Sequence, residues 1–200
     1  MSMNELRYNC RKCGICCAEI VEGPGVKRIP IYPEEVDKLI KIAKKQDLKF
    51  AVVEDVVFPD ILNKKILILT YKIILAPLGH CPFYSVNKGC IIHDEKPLAC
   101  QAYPLALKQV DAFNFQISID PLCSWTLSKY GLLNNIDLIK LKEIFEDEYP
   151  KAEVFYLKNK KLMLKIRKME VKNKIKITRQ ISLDEFNKAL EVWEREEFKI

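Results

Sequence analysis

The sequence predicts an α+β protein in two parts. Residues 1–125 form an irregular, cysteine-rich part with a small antiparallel sheet and helices, and residues 126–200 form a C-terminal basic α+β unit. Three observations lead there. All eight cysteines lie between Cys10 and Cys123. The stretch from Ala76 to Trp125 carries five prolines and little periodicity, and prolines remove ladder donors and restrict their predecessors. Beyond it the chain turns lysine-rich, cysteine-free and periodic. A chain of 200 residues is long enough to bury a core without disulfides.

In chain order, "EGPGVKR" contains Gly23, Pro24 and Gly25 and reads as a turn. "YPEEVDKLIKIAKKQ" reads as a helix: Pro33 suits the first helical position, Glu34 and Glu35 its first turn, and Lys44 and Lys45 its last. Val36, Leu39, Ile40 and Ala43 supply its apolar stripe. Residues 50–58 and 65–75, rich in Val, Ile and Leu, read as two strands around "DILNKK", and "AFNFQISI" as another. "NNIDLIKLKEIFEDEY" reads as one amphipathic helix. Residues 152–157, 162–171 and 175–181 read as three antiparallel strands. "SLDEFNKALEVWEREE" closes as a helix, with Ser182 and Glu185 spaced as a capping box.

"CRKCGICC" places four thiols in eight residues, Cys10, Cys13, Cys16 and Cys17. CxxC spacing lets a tight turn bring two thiolates onto one metal, and Gly14 follows where such a turn needs no side chain. The overlapping CxxCxxC is also the ferredoxin spacing for three ligands of an iron–sulfur cubane. Cys16 and Cys17 are adjacent, and neighbouring side chains diverge, so both on one zinc ion is not expected. Cys81, Cys90, Cys100 and Cys123 complete the set of candidate metal ligands from a distance.

A second CxxC is lacking, which favours an iron–sulfur cluster of the 4Fe-4S type, with zinc as the alternative. Structural disulfides are the other use of eight cysteines. A reducing compartment disfavours them, although the Lys-, Glu- and Ile-rich composition resembles that of hyperthermophiles. The first residues hold no apolar leader, and "ILILTYKIILAPL" is interrupted by Lys72 and too short to span a bilayer. A cytoplasmic protein with no membrane association is therefore expected.

"CRKCGICC" and the later "CPFYSVNKGCIIHDEKPLACQAYPLAL" resemble the CxxCxxCC, or YkgJ-type, cysteine-cluster family, described as a zinc- or iron-chelating domain. The flagellin N-methylases, which methylate lysines, carry a similar cluster. The resemblance runs through Cys10, Cys13, Cys16 and Cys17, then Cys81, Pro82 and Phe83, then Gly89 and Cys90, then Pro97, Cys100, Tyr103 and Pro104. Cys123 fills the family's last cysteine position. Lys96 and Gln101 stand where the family has arginines, and His93 where it often has tyrosine. The resemblance implies metal binding over Cys10 to Cys123 and says nothing about residues 126–200.

Other features weigh less. His93, beside Asp94 and Glu95, reads as a solvated turn residue, and His80 as a neighbour able to hydrogen-bond a sulfur. A methyltransferase would need a glycine-rich loop after a strand, and the six glycines supply none. No third group is in evidence to orient a Cys–His pair for nucleophilic catalysis. Between Lys158 and Arg179 ten basic residues face Glu170 alone. On strand alternation they build a basic sheet face for nucleic acid or an acidic protein, or a solvated surface. Two functions of different class follow: an iron–sulfur protein with a redox or accessory enzymatic role, or a zinc-stabilised binding module.

Overall fold

The computed structural model describes residues 6–18, 29–75, 79–111, 115–134, 136–178 and 180–199. The turn expected at Gly23–Gly25 lies outside these residues. The fold is α+β, with six α-helices and small, mostly antiparallel sheets among the described residues. It divides into two compact units, one of Met1–Lys27 with Leu75–Leu157 and one of Arg28–Ile74 with Lys158–Ile200. Both are discontinuous in sequence, so neither coincides with 1–125 or 126–200.

The second unit is built on a sheet. β1 (Pro30–Ile31), β2 (Val52–Asp60) and β3 (Lys65–Ile73) are antiparallel, with β3 between the other two. β8 (Glu194–Glu197) joins the same β3 in parallel, pairing Lys65–Ile68. The apolar run Ile66–Leu69 of β3 is at most 4% exposed, as in a strand covered on both faces. α1 (Pro33–Lys45) starts with the expected proline and buries Val36, Leu39 and Ala43 of the expected stripe, with Ile40 half-buried and Pro33 buried beside them. α6 (Leu183–Val192) is capped by Ser182 and Glu185 as expected, and its Ala189 packs on Ile66 and Ile68. Asp60, 1% exposed, accepts hydrogen bonds from Leu62 N, Asn63 Nδ2 and Lys176 N, so its buried charge is satisfied by the turn and by the 174–177 segment.

The three expected C-terminal strands are not there. α5 (Glu148–Val171) runs through the first two, and of the described residues in the third only Ile177 pairs, by a bridge to Asp60. Leu162, Leu164 and Ile166 satisfy a two-residue period, but Leu162 and Ile166 are also one helical turn apart. It is those two that are buried, at 2% and 3%, while Leu164 is 44% exposed. Lysine, leucine and methionine between them are good helix formers, which settles the ambiguity toward helix. The basic sheet face therefore does not exist.

The first unit holds the cysteines. Its core gathers Tyr8, Ala102, Leu105, Cys123, Trp125, Leu141, Ile144, Phe145, Tyr149 and Ala152. Tyr8, Trp125 and Phe145 stack in a triad with centroids 5.1 to 5.7 Å apart. The single helix expected at 134–149 is broken at Phe145 into α4 (Leu138–Ile144), capped by Asp137, and the start of α5. The aperiodic segment holds more regular structure than its prolines suggest. β4 (Tyr84–Ser85) pairs with β5 (Gly89–Cys90), and β6 (Leu105–Gln109) pairs with β7 (Phe115–Ile119). α2 (Leu98–Ala102) lies between the hairpins, and α3 (Ser124–Leu133) follows them. No helix of the described residues is long and apolar enough to cross a membrane.

Candidate metal centre

The cysteine loop is shaped by two glycines and one tyrosine. Gly14 has φ +80°, and a methyl group on it would lie 2.3 Å from the Tyr84 ring. Gly89, φ +70°, packs as closely on Lys12. Both positions demand glycine for conformation and for space. The Tyr84 hydroxyl donates to the Cys13 carbonyl at 3.2 Å, and the Cys81 N–H donates to the Cys17 carbonyl at 2.7 Å. Residues 15–17 form one turn of 3₁₀ helix, and Ala18 bridges His80. His80 itself stacks on Tyr84. The CxxCxxCC loop is thus fastened to the β4–β5 hairpin, which carries Cys90 and is preceded by Cys81.

All eight cysteines are free thiols. Their sulfurs fall into distinct settings. Cys16 and Cys17 converge, Sγ to Sγ 3.7 Å, contrary to the divergence expected of neighbours, because the tight 3₁₀ turn swings both to one side. Contact with Cys16 favours the Cys17 thiolate, but the hydrogen bond with Cys81, burial and the sulfurs of Cys81 and Cys90 push its thiol up to about 12. Burial, then the sulfurs of Cys16, Cys17 and Cys90, hold the Cys100 thiol well above its ordinary value, against the charge of Lys96. Burial also raises Cys90, together with Cys16 and Cys10 and opposed by the Ile92 N–H and Lys96. Six thiols, Cys10, Cys16, Cys17, Cys81, Cys90 and Cys100, therefore make one electrostatically coupled group.

The other two face elsewhere. Cys13 is exposed, its sulfur 3.2 Å from Ser124 Oγ at the start of α3. Burial there works against ionisation. Hydrogen bonds from the Ser124 hydroxyl and the backbone of Ile15, Cys13 and Ser124 outweigh it and hold the thiol below its ordinary value. Cys123 is 6% exposed, in the core, 4.0 Å from the Tyr8 hydroxyl. Burial and then the Cys123 and Cys10 sulfurs raise the Tyr8 phenol. Cys10 and Cys13 thus have different surroundings, and the first CxxC is not closed as a zinc knuckle.

Among the described residues no three Cys, His, Asp or Glu side chains are arranged to hold a metal ion. The donor set nonetheless fits a thiophilic centre: six soft ligands near one another, all of them part-buried. Burial and neighbouring sulfurs raise Cys17, Cys90 and Cys100, so these three need positive charge nearby before they ionise, which a bound metal supplies.

His93 is less solvated than its turn suggested. Its Nε2 is buried without a partner and its Nδ1 lies 3.6 Å from Asp94 Oδ1. Burial and the charges of Lys96 and Lys12 lower its pKa. Sequence reasoning missed the part played by Tyr84, Ser124 and Tyr8. The signal for Tyr84 was present in Gly14, whose missing side chain makes room for the ring. Nothing in the spacing pointed to Ser124 or Tyr8. Glu148, first residue of α5, was also unread, and burial pushes its carboxyl up to about 7 against its own backbone N–H and Lys96.

A small α+β unit that gathers thiols from an N-terminal loop, a hairpin and a short helix has the form of a cysteine-ligated metal-chelating domain. The chain belongs to the CxxCxxCC family, described as a "putative zinc- or iron-chelating domain", which it matches over residues 9–124. That match covers both halves of the cysteine pattern and stops at the first residue of α3. No curated protein matches the chain, and no solved structure does.

Proposed function

We propose that the protein holds an iron–sulfur cluster, with ligands drawn from Cys10, Cys16, Cys17, Cys81, Cys90 and Cys100. The observation that carries this reading is geometric: the Cys81 N–H bonds the Cys17 carbonyl, which fastens the loop bearing Cys16 and Cys17 to the segment that leads into the Cys90 hairpin and so gathers thiols from two distant stretches. A cubane takes four thiolates, one per iron, and tolerates a wide ring of donors drawn from distant segments. A structural zinc ion wants two closed knuckles, and Cys13 turned toward Ser124 leaves the first one open. When bound, a cluster of this kind supplies one-electron transfer. The chain's own contribution is to half-bury Cys17 and Cys100 and to leave Lys96 as the nearby positive charge. A reducing intracellular compartment suits eight free thiols.

One observation favours zinc instead. Two thiolates on a single tetrahedral ion with bonds of about 2.3 Å stand about 3.8 Å apart, and the Cys16 and Cys17 sulfurs are 3.7 Å apart. Anaerobic reconstitution of the full chain with iron and sulfide, in competition with zinc, separates the two readings. A brown protein that keeps iron and sulfide in equal amounts through desalting supports the cluster. Preferential retention of one zinc with no sulfide overturns it.

A further inference from the structure

The basic sheet face is absent, but α5 rebuilds a basic face in another form. At 100° per residue, Lys161, Lys165, Lys168 and Lys172 fall within about 60° of one another on the helix surface. Lys160, Arg167 and the exposed Leu164 and Val171 flank them, and all of these side chains are solvent-exposed. The buried Leu162 and Ile166 lie about 90° and 130° round the helix from the middle of this stripe. Glu170, the one acid from Lys158 to Lys172, lies on the half-buried side. Lys165 reaches the rim, where its ammonium sits 4.7 Å from the Phe198 ring centroid and donates to the Lys199 carbonyl. Lys161, Lys168 and Lys172 enter no ion pair among the described residues.

We propose that this face of α5 binds the phosphate backbone of a nucleic-acid duplex. The stripe runs about 16 Å along the helix, long enough to lie beside several phosphates. Its chemistry points to a backbone rather than to bases or to a protein. The ring beside it, Phe198, is 4% exposed and offers no platform for stacking unpaired bases. Protein interfaces are depleted in lysine and anchored by aromatic side chains, whereas this face is mostly lysine. Exposed cations aligned on one straight element, three of them in no ion pair among the described residues, are what counterion release rewards. The inference is independent of the metal centre.

The test is fluorescence anisotropy of the full chain with a labelled duplex of arbitrary sequence over a salt series, compared with the variant Lys161→Glu/Lys168→Glu. Both side chains are exposed, so the variant keeps its melting temperature. About four phosphate contacts give a log Kd against log salt slope of about 4 in magnitude. The double variant is expected to lower that slope by about 2 and to weaken binding at least tenfold. The proposal is overturned by no binding at low salt, by unchanged binding in the folded variant, or by polyglutamate or anionic vesicles binding as tightly as the duplex.

Discussion

The ring of Tyr84 occupies the space that a side chain on Gly14 would fill, and its hydroxyl holds the carbonyl of Cys13. That contact sets the course of the loop bearing four of the eight thiols. Gly14→Ala is therefore expected to misplace the loop twice over, by a left-handed φ costing about 1–2 kcal/mol and by collision with the ring. The expected outcome is a lower melting temperature and reduced metal retention. Tyr84→Phe, which removes only the hydroxyl, should lose far less of either.

The cysteines should divide by substitution as they divide in space. Cys100→Ser removes a member of the coupled group and is expected to abolish retention of metal. Cys13→Ser, whose sulfur faces Ser124 and solvent, should keep most of it. Metal content per chain, with circular dichroism to show that both variants fold, checks the difference. Equal losses in the two would mean that the loop rearranges on binding.

Cys123 belongs to the core as much as to the motif. Cys123→Ala leaves the Tyr8 hydroxyl without its partner and removes a thiol from among Tyr8, Trp125 and Phe145, at a cost of about 1–3 kcal/mol. Chemical denaturation of the metal-free protein should show the loss, because it does not depend on the metal.

Glu148 gives a pH signature. Its folded pKa, about 7, lies above the ordinary carboxyl value, so the folded state holds its proton more tightly than the unfolded state does. Its contribution to stability is thus fully present at acid pH and is lost as pH rises from about 4.5 through about 7. Glu148→Gln should flatten the pH dependence of unfolding in that window. An unchanged slope would place the responsible proton elsewhere.

Asp60 fastens two distant segments of the second unit through the N–H groups of Leu62 and Lys176 and the amide of Asn63. Asp60→Ala removes the acceptor of three part-buried hydrogen bonds, at a cost of about 1–3 kcal/mol. Asp60→Asn, which can still accept, should cost less, and thermal unfolding of the two variants measures the difference.

Much of this was legible in the sequence, for reasons that differ by element. α1 and α6 carry their own caps, charges and stripes, so local chemistry was enough. The β2–β3 hairpin follows from its apolar runs, whereas Glu194–Glu197, expected as the end of the closing helix, leave it after Val192 and form β8. Its residues Glu194, Arg195, Glu196 and Glu197 are all charged and exposed, and only pairing with β3 makes them a strand. α5 was misread because Leu162, Leu164 and Ile166 fit two periods, and burial of Leu162 and Ile166 decides between them only in three dimensions. In the cysteine region, motif order revealed the family and glycine marked the loop. The meeting of Cys16 with Cys17, and the turning of Cys13 toward Ser124, depend on backbone geometry that spacing does not encode.

The most direct test of the central claim is the metal and acid-labile sulfide content of the full chain purified without oxygen, read with its visible spectrum. The account predicts iron and sulfide in equal amounts, near four of each per chain as for about one cubane, with broad absorption that bleaches on reduction. Zinc alone, without sulfide and without colour, would contradict it.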